Sequence, residues 1–454
     1  MAGIVPTQSG RLARRGETFA PLHLLAGVGV VMMGLTFATP TAFEKFGDNA
    51  FIALTISAGL FTVAATNVAE RAPQRHALWL VFALAILLRA YVLTFDPLLS
   101  SDIYRYVWDG KVQAAGVNPY RYVPSDQALA FLRDHTIFPH MNRADTAVTI
   151  YPPIAQFFFL IVTRIAENVT VMRLALMGCE AVTVTVIMLL LRRINRPMTR
   201  VVAYLWHPLP LWEIVNSGHV DALMVALMML GLWIALTGHA LRGAVMIAFS
   251  VLVKPYVAPV LAGIWRPLDF KMPLIVIAVI ALCYGPYLSV GWGVLGFLTK
   301  GYLTEEGISA GNDLWLLSLW RLVFGEHHGD VVVYIATAAL ILLFKGSSVA
   351  RSPDRTIASR LDDINMLLLL TLLLLSPNYP WYFLIVTPFV ALCGSPPTWV
   401  ASILALLLSE QLDWDFYIPR MVTKSILFGG LLLAWALMAY RTSTQRSAEP
   451  GVPQ

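Results

Sequence analysis

Residues 170–200 read TVMRLALMGCEAVTVTVIMLLLRRINRPMTR, an apolar run that ends in Arg192, Arg193, Arg196 and Arg200. The run has the roughly 20 apolar residues that a helix needs to cross the hydrocarbon layer of a membrane. Cytoplasmic loops collect Lys and Arg, so the basic end of the helix is expected on the cytoplasmic side. This stretch therefore predicts a membrane-spanning helix and its direction.

The composition of the whole chain agrees with a membrane protein. Of its 454 residues 58% are hydrophobic and 13% are charged, and the mean hydropathy is +0.69. Burial in lipid explains these values better than a water-soluble core does. Other apolar runs of spanning length include residues 22–38, 51–69 and 78–95. The sequence predicts an all-α polytopic membrane protein.

The four arginines constrain the path of the preceding chain. With residues 1–20 inside, Arg71 and Arg75 fall in a cytoplasmic loop, and residues 96–168 form a large extracytoplasmic loop. The four arginines reach the cytoplasm only if residues 154–167 do not cross, so this segment is predicted as a juxtamembrane helix. Residues 314–324 require the same arrangement. The expected result is about 14 transmembrane helices with both termini inside.

This topology divides the chain into a cytoplasmic tail of residues 1–20, one integral-membrane domain of residues 21–440, and a second cytoplasmic tail of residues 441–454. Arg11, Arg14 and Arg15 precede the first apolar run without a clear cleavage site, so the first helix is expected to be retained. The net charge of +5 fits basic loops beside anionic lipid headgroups, and it implies no nucleic acid.

Polar residues on the predicted outer side come from several separate segments. The densest is SDIYRYVWDG at residues 101–110. If it is helical, the spacing places Asp102, Arg105 and Asp109 on one face, with Asp102 and Asp109 on the order of 10 Å apart. Ionisable groups near the membrane are costly and usually functional. We therefore expect a shared extracytoplasmic site.

Five motifs carry a family resemblance: DIYRYVWDG (102–110), GVNPYRY (116–122), TIYPP (149–153), NSGHVDAL (216–223) and VLVKPY (251–256). They resemble the polyprenyl-phosphate-sugar-dependent glycosyltransferases of the GT-C fold, especially the bacterial mannosyltransferase-like members. The resemblance extends from about residue 78 to residue 256. Beyond that it rests on the topology and on SPNYPWY at residues 376–382.

The resemblance implies a GT-C-like bundle that transfers mannose, with inversion, from a polyprenyl phosphate to an acceptor hydroxyl. The acceptor is a glycolipid, a glycan or a protein, and the enzyme lies in the cell (inner) membrane. Asp102 aligns with the family's loop aspartate and is the predicted general base. The predicted substrate-binding residues are Tyr104, Arg105, Trp108, Asp109, Tyr151, His219, Asp221, Lys254 and Tyr256.

The expected roles of these residues differ. Lys254, Arg105 and His219 would bind the phosphate, because charge-assisted donors hold it best. Aromatic rings at positions 104, 108 and 151 could stack on sugars. Asp109 would position an acceptor hydroxyl or orient Arg105. No cofactor is implied, and a divalent metal has no support in the first outer loop, since the only DxD lies at residues 413–415.

Structural roles remain open for the same residues. Asp102 could be a helix N-cap, and Asp109 could end the helix in a salt bridge to Arg105. His219 and Asp221 could belong to a polar turn, and Lys254 could extend its ammonium group to the membrane interface. The aromatic residues of SPNYPWY could form an interfacial belt.

Two other functions compete with the enzyme. A transporter or lipid flippase also needs many helices and a polar cavity, and WHPLP at residues 206–210 could be the broken segment typical of one. A membrane scaffold would give no reason for carboxylates, a lysine and aromatic residues to share one face. The motifs favour the enzyme.

Overall fold

A computed structural model describes residues 19–295, 309–352, 356–409 and 420–448, the last four of these as backbone only. Within these ranges every regular element is helical, which confirms the predicted all-α class. The α-helices are α1 (Ala20–Phe46), α2 (Asp48–Ala69), α3 (Gln74–Val92), α4 (Asp102–Ala114), α5 (Pro153–Thr163), α6 (Val169–Arg193), α7 (Val202–Leu205), α8 (Pro208–Pro210), α9 (Asp221–Leu236), α10 (Ala240–Val251), α11 (Lys271–Tyr284), α12 (Trp315–Phe324), α13 (Asp330–Ala350), α14 (Ile357–Leu375), α15 (Thr387–Leu392), α16 (Pro396–Leu404) and α17 (Arg420–Ala448).

Narrower or wider helical turns connect several of these helices. The 3₁₀ segments are Gln127–Leu132, Phe138–His140, Met198–Val201, Pro255–Gly263, Gly285–Leu295, Pro380–Val386 and Ala405–Ser409, and Leu211–Asn216 is a π-helix. The DxD at residues 413–415 lies outside the described residues.

Seven of the described helices are long and apolar enough to cross a membrane. They are α1, α2, α3, α6, the continuous stretch Lys271–Leu295, α13 and residues Arg420–Thr444 of α17. Six shorter apolar helices of 10 to 17 residues accompany them. The polytopic character is thus borne out, whereas the count of about 14 spans stays a prediction.

The arginine cluster that follows α6 binds the end of another helix. Arg196 Nη1 donates to the carbonyls of Leu392 and Cys393 at 2.6 and 2.9 Å, and Arg200 Nε donates to the Ala391 carbonyl at 2.8 Å. The last carbonyls of a helix have no partner within it, and cations near them are favourable. These two arginines therefore join α6 to the C-terminal end of α15.

The chain is interrupted where the sequence predicts a broken segment. α7 ends before His207, whose ring Nδ1 accepts from the Leu209 amide at 3.2 Å, and prolines follow at positions 208 and 210. The π-helix comes next, and Gly218 then turns the chain with a φ of 70°. A Cβ there would lie 2.3 Å from the Ile103 side chain, so the turn packs directly on α4.

A buried ion pair joins α3 to α6. Arg89 Nε and Nη2 donate to the two carboxylate oxygens of Glu180 at 2.9 and 2.6 Å, and Arg89 Nη1 donates to the Leu205 carbonyl at 2.9 Å. Two parallel charge-assisted bonds fix the direction of both side chains. This pair holds α3, α6 and the end of α7 together.

Residues 96–168 contain α4, α5 and two 3₁₀ turns between them. α4 packs on α5 without a side chain at Gly110, where a Cβ would lie 2.4 Å from the Phe159 carbonyl oxygen. The predicted short helices are present as α5 and α12, with 11 and 10 residues.

Candidate active site

A cavity of about 1020 Å³ lies beside the N-terminus of α4. Its walls come from five stretches of chain, within residues 96–104, 140–152, 253–256, 313–314 and 375–382. Ligand pockets commonly measure about 300 to 1,000 Å³, so this cavity has room for a large polar substrate.

The ten predicted site residues divide into two groups. Those that line the cavity are Asp102, Tyr104, Tyr151, Lys254 and Tyr256. Those buried outside its lining are Arg105, Trp108, Asp109, His219 and Asp221. The five residues that line the cavity can contact a ligand, whereas the five buried residues contact mainly other protein side chains.

Asp102 is the first residue of α4 and is half-buried. Asn142 Nδ2 donates to its Oδ1 at 2.8 Å, and the Tyr151 hydroxyl donates to its Oδ2 at 3.3 Å. The N-cap is Ser101, so the carboxylate of Asp102 does not take that role. Both carboxylate oxygens instead accept hydrogen bonds from Asn142 and Tyr151, which belong to the segment of residues 140–152 that lines the cavity.

Tyr151 is one of two adjoining buried phenols. Its ring lies 5.0 Å from the ring of Tyr106, whose hydroxyl accepts from the Val220 amide at 3.4 Å. Burial, and then the negative charge of Asp102, raise the pKa of both tyrosines well above the usual value. Each phenol therefore keeps its proton, and Tyr151 remains a donor to Asp102.

Arg105 and Asp109 form a buried ion pair one turn apart on α4. Arg105 Nε donates to Asp109 Oδ1 at 2.8 Å, and Arg105 Nη2 donates to the Ala147 carbonyl at 3.0 Å. The other oxygen of Asp109 accepts from Gln156 Nε2 at 3.0 Å. Asp109 thus orients Arg105, which was one of its two predicted roles, and the pair anchors the segment that leads to Tyr151.

The predicted sugar-stacking aromatic residues differ in position. The Tyr104 ring lies 5.0 Å from the ring of His140, and both residues line the cavity. Trp108 is 1% exposed and packs against Phe138 at 5.5 Å between ring centroids. Trp108 therefore contributes to the core of the loop and offers no face to the cavity.

Lys254 reaches the cavity wall from the turn after α10. Its Nζ lies 3.0 Å from Asp221 Oδ2, and the Tyr256 hydroxyl donates to Asp221 Oδ1 at 2.7 Å. The ammonium also lies 5.1 Å from the centre of the Tyr382 ring, within cation–π range. These contacts direct Lys254 toward the site and do not leave it extended to a membrane interface.

His219 lies beneath the aromatic part of the wall. Its Nδ1 lies 2.9 Å from Glu213 Oε2, and its ring stacks on Trp381 at 4.1 Å. Trp381 stacks in turn on Tyr379 at 4.3 Å, with the planes only 6° apart. Because Tyr379, Trp381 and Tyr382 line the cavity, the SPNYPWY segment forms part of the candidate site.

A lysine on α4 binds the loop that contains Asp134. Lys111 Nζ lies 2.8 Å from Asp134 Oδ2 and 3.3 Å from Glu167 Oε2. Asp134 also accepts from the backbone amides of Thr136 and Ile137. Burial alone would raise the pKa of Asp134, but these hydrogen bonds hold it well below its usual range.

Sequence reasoning missed three cavity residues, namely His140, Asn142 and Arg143. They lie in a stretch without helical periodicity, which has the composition of a solvated loop. Only the folded path of residues 140–151 brings them to Asp102. Within the described residues, no three His, Cys, Asp or Glu side chains group closely enough to hold a metal ion.

The chain was also compared with known proteins. A family model described as alpha-(1->6)-mannopyranosyltransferase, N-terminal domain (MptA_B family) matches residues 21–266, more than half of the chain. No curated protein and no solved structure matches the chain. Asp102, Tyr151 and Lys254 lie inside the matched region, whereas the aromatic wall at residues 379–382 lies beyond it. The chain belongs to the MptA/B family of α-(1→6)-mannopyranosyltransferases and is a membrane glycosyltransferase.

Proposed function

We propose that this protein transfers a mannosyl group from a polyprenyl-phosphate carrier to the 6-hydroxyl of an acceptor sugar. The linkage is taken from the description of the family, and the carrier from the resemblance of the sequence motifs. The transfer occurs at the extracytoplasmic face with inversion at the anomeric carbon. An α-linked product then requires a β-linked donor.

One observation carries the proposal: a half-buried carboxylate, held by two side-chain donors, faces a cavity large enough for donor and acceptor. Asp102 acts as the general base and takes the proton of the acceptor hydroxyl. The acceptor oxygen bonds to the anomeric carbon while the bond from that carbon to the phosphate oxygen breaks. The electron pair of the broken bond stays with the polyprenyl phosphate, which leaves with one additional negative charge.

The departing phosphate needs a cation at the cavity wall. Of the three predicted phosphate-binding residues, only Lys254 lines the cavity, and its partner Asp221 sets its direction. We assign the phosphate to Lys254, since a charge-assisted donor stabilises the developing charge. Arg105 and His219 contact parts of the cavity wall and do not line the cavity themselves. Arg105 donates to the Ala147 carbonyl, and the His219 ring stacks on Trp381.

The site is assigned to the extracytoplasmic face from the distribution of arginines. α6 directs its basic end to the cytoplasm, so the cavity at the opposite end of α6 faces outward. α5 and α12 then lie as juxtamembrane helices on that side, within a single membrane domain of residues 21–440 in the inner membrane. Thiol labelling tests this: Asp145→Cys should react with an impermeant reagent in intact cells, and Arg192→Cys only after permeabilisation. The opposite pattern would overturn the assignment.

Mass spectrometry tests the reaction. Purified protein in lipid receives labelled polyprenyl-phosphate-mannose and membrane extract, and the mannosylated product is identified. Asp102→Asn preserves size and removes the base, so product formation should fall to background. Asp145→Asn is the matched control, because this carboxylate is exposed and lies outside the cavity. Full transfer by Asp102→Asn would contradict the mechanism, and movement of lipid without sugar transfer would favour a flippase.

A further inference from the structure

Asp102 owes its orientation to a residue that no sequence motif marks. Asn142 Nδ2 lies 2.8 Å from Asp102 Oδ1, which is shorter than the 3.3 Å bond from Tyr151 to Oδ2. Hydroxyl donors usually lie about 2.7 to 2.8 Å from their acceptors, so the tyrosine bond is long and the amide bond is the stronger constraint. A carboxylate that carries a charge only accepts hydrogen bonds, so the amide nitrogen of Asn142 must face it.

The segment around Asn142 is itself fixed in place. Arg143 has a left-handed φ of 52°, and its carbonyl accepts from the amides of Thr146 and Ala147, which closes a turn directly after Asn142. The Ser125 amide donates to the Ala144 carbonyl at 3.0 Å. A non-glycine residue adopts such a φ only where its surroundings compensate for the strain. The turn therefore fixes the backbone from which the Asn142 side chain extends.

α4 contributes to the same turn. Arg105 donates to the Ala147 carbonyl at 3.0 Å and is locked by Asp109. The helix that begins with Asp102 thus also binds the segment that orients Asp102. This closed arrangement fixes the carboxylate relative to its own helix, which a helix N-terminus alone would not do.

We infer that Asn142 is a positioning residue for the base: its amide sets the direction in which Asp102 presents its carboxylate to the acceptor hydroxyl. The inference rests on the proposed function. A carboxylate has about four acceptor positions, so two donors restrain its rotation and leave room for the acceptor hydroxyl.

Several other charged and titratable groups lie near Asp102. They are Tyr106 and Tyr151, the cavity residues Asp96, Tyr104, His140, Arg143 and Lys254, Arg173 on α6 and Asp221 on α9. Among the described side chains, Asn142 and Tyr151 are the two that hydrogen-bond to the Asp102 carboxylate. A change confined to Asn142 therefore leaves the other charges in place.

The test measures kcat and KM for the donor in Asn142→Ala. A hydrogen bond to a charged group corresponds to about a 10- to 100-fold effect, so kcat should fall by that factor while KM for the donor stays unchanged. Asn142→Ser keeps a shorter donor and should recover part of kcat, whereas Asn142→Asp replaces the donor with a like charge and should recover none of it.

Asn168→Ala is the matched control. This asparagine caps α6 through a 2.8 Å bond to the Val171 amide and does not line the cavity, so its loss should leave kcat and the donor KM unchanged. A wild-type kcat in Asn142→Ala, with Asp102→Asn inactive, would overturn the inference and leave the proposed function intact. A fall in kcat together with a rise in the donor KM, and no recovery in Asn142→Ser, would assign Asn142 a purely structural role. Absence of mannosyl transfer by the wild type would refute both.

Discussion

Lys254 and Asp221 form an ion pair of 3.0 Å in which the carboxylate is fully buried and the ammonium lies at the cavity wall. The carboxylate has a second partner in Tyr256, at 2.7 Å, so its position does not depend on the lysine. The buried member of the pair therefore sets the direction of the exposed member.

Replacement of Lys254 should weaken donor binding and slow the transfer, because the ammonium would contact the phosphate both before and during its departure. Lys254→Ala removes the cation that faces the phosphate, and a charge-assisted bond of this kind corresponds to about a 10- to 100-fold rise in KM for the donor. Steady-state kinetics with labelled donor measures it. Lys271→Ala, an exposed lysine at the start of α11, is the control and should behave as the wild type. An unchanged donor KM in Lys254→Ala would assign the phosphate to other groups.

Gly110→Ala should destabilise the protein even though alanine favours helices. The added Cβ would lie 2.4 Å from the Phe159 carbonyl oxygen and 2.5 Å from Thr163 Oγ1, so α4 and α5 must separate. Overpacking of this kind costs about 1 to 3 kcal/mol, which thermal unfolding in detergent can detect. Gly178→Ala in α6 is the control, because no atom lies within 4 Å of its added Cβ. Equal unfolding temperatures for the two variants would contradict the close packing of α4 on α5.

Loss of one member of the Arg89–Glu180 pair should be more harmful than loss of both. Arg89→Met leaves the buried carboxylate of Glu180 without a counter-charge, which costs about 3 to 5 kcal/mol. The double variant Arg89→Met, Glu180→Met removes both charges and should recover much of that loss. Unfolding midpoints of the single and double variants provide the comparison. A double variant less stable than Arg89→Met would show that the pair contributes more than mutual neutralisation.

Asp134 should keep its loop bound to α4 over the whole ordinary pH range. Its pKa is lowered in the folded protein, so the stabilisation is fully present above the unfolded value of about 3.9 and is lost only as pH falls through the lower folded value. Asp134→Asn should therefore speed amide hydrogen exchange in residues 127–140, relative to the wild type at the same pH, by the same factor at pH 5 and at pH 7. Mass spectrometry follows that exchange. A difference present at pH 7 and absent at pH 5 would contradict the lowered pKa.

Much of the architecture follows directly from the sequence. The apolar runs at residues 22–38, 51–69 and 78–95 lie in α1, in α2 and in α3 with its following turn. Residues 154–167, predicted as a juxtamembrane helix, overlap α5, whose 11 residues are short for a membrane span, and its place at the membrane surface stays a prediction. The number of spans is harder to predict, because breaks at prolines 208, 255 and 380 divide apolar sequence into short pieces.

The site was accessible to sequence reasoning only in part. Asp102 and Lys254 stand out because a charge beside an apolar run is costly. Arg105 carries the same signal, but its charge is paired with Asp109 one turn later. Only the burial of both side chains shows this. Asn142 carries no such signal, because its role comes from a long-range contact with α4 across 40 residues of chain.

The arginines that follow α6 also connect the two parts of the chain. Arg196 and Arg200 lie in the family-matched region, and the carbonyls that they bind, at residues 391–393, lie in the remainder. That remainder carries Trp381, a few helical turns before the bound carbonyls. The arginines from which the membrane orientation is predicted thus also hold two parts of the chain together. Exchange of Arg196 for an uncharged residue would weaken the attachment of the aromatic wall to the part of the chain that carries Asp102, although Arg196 lies at the far end of the bundle.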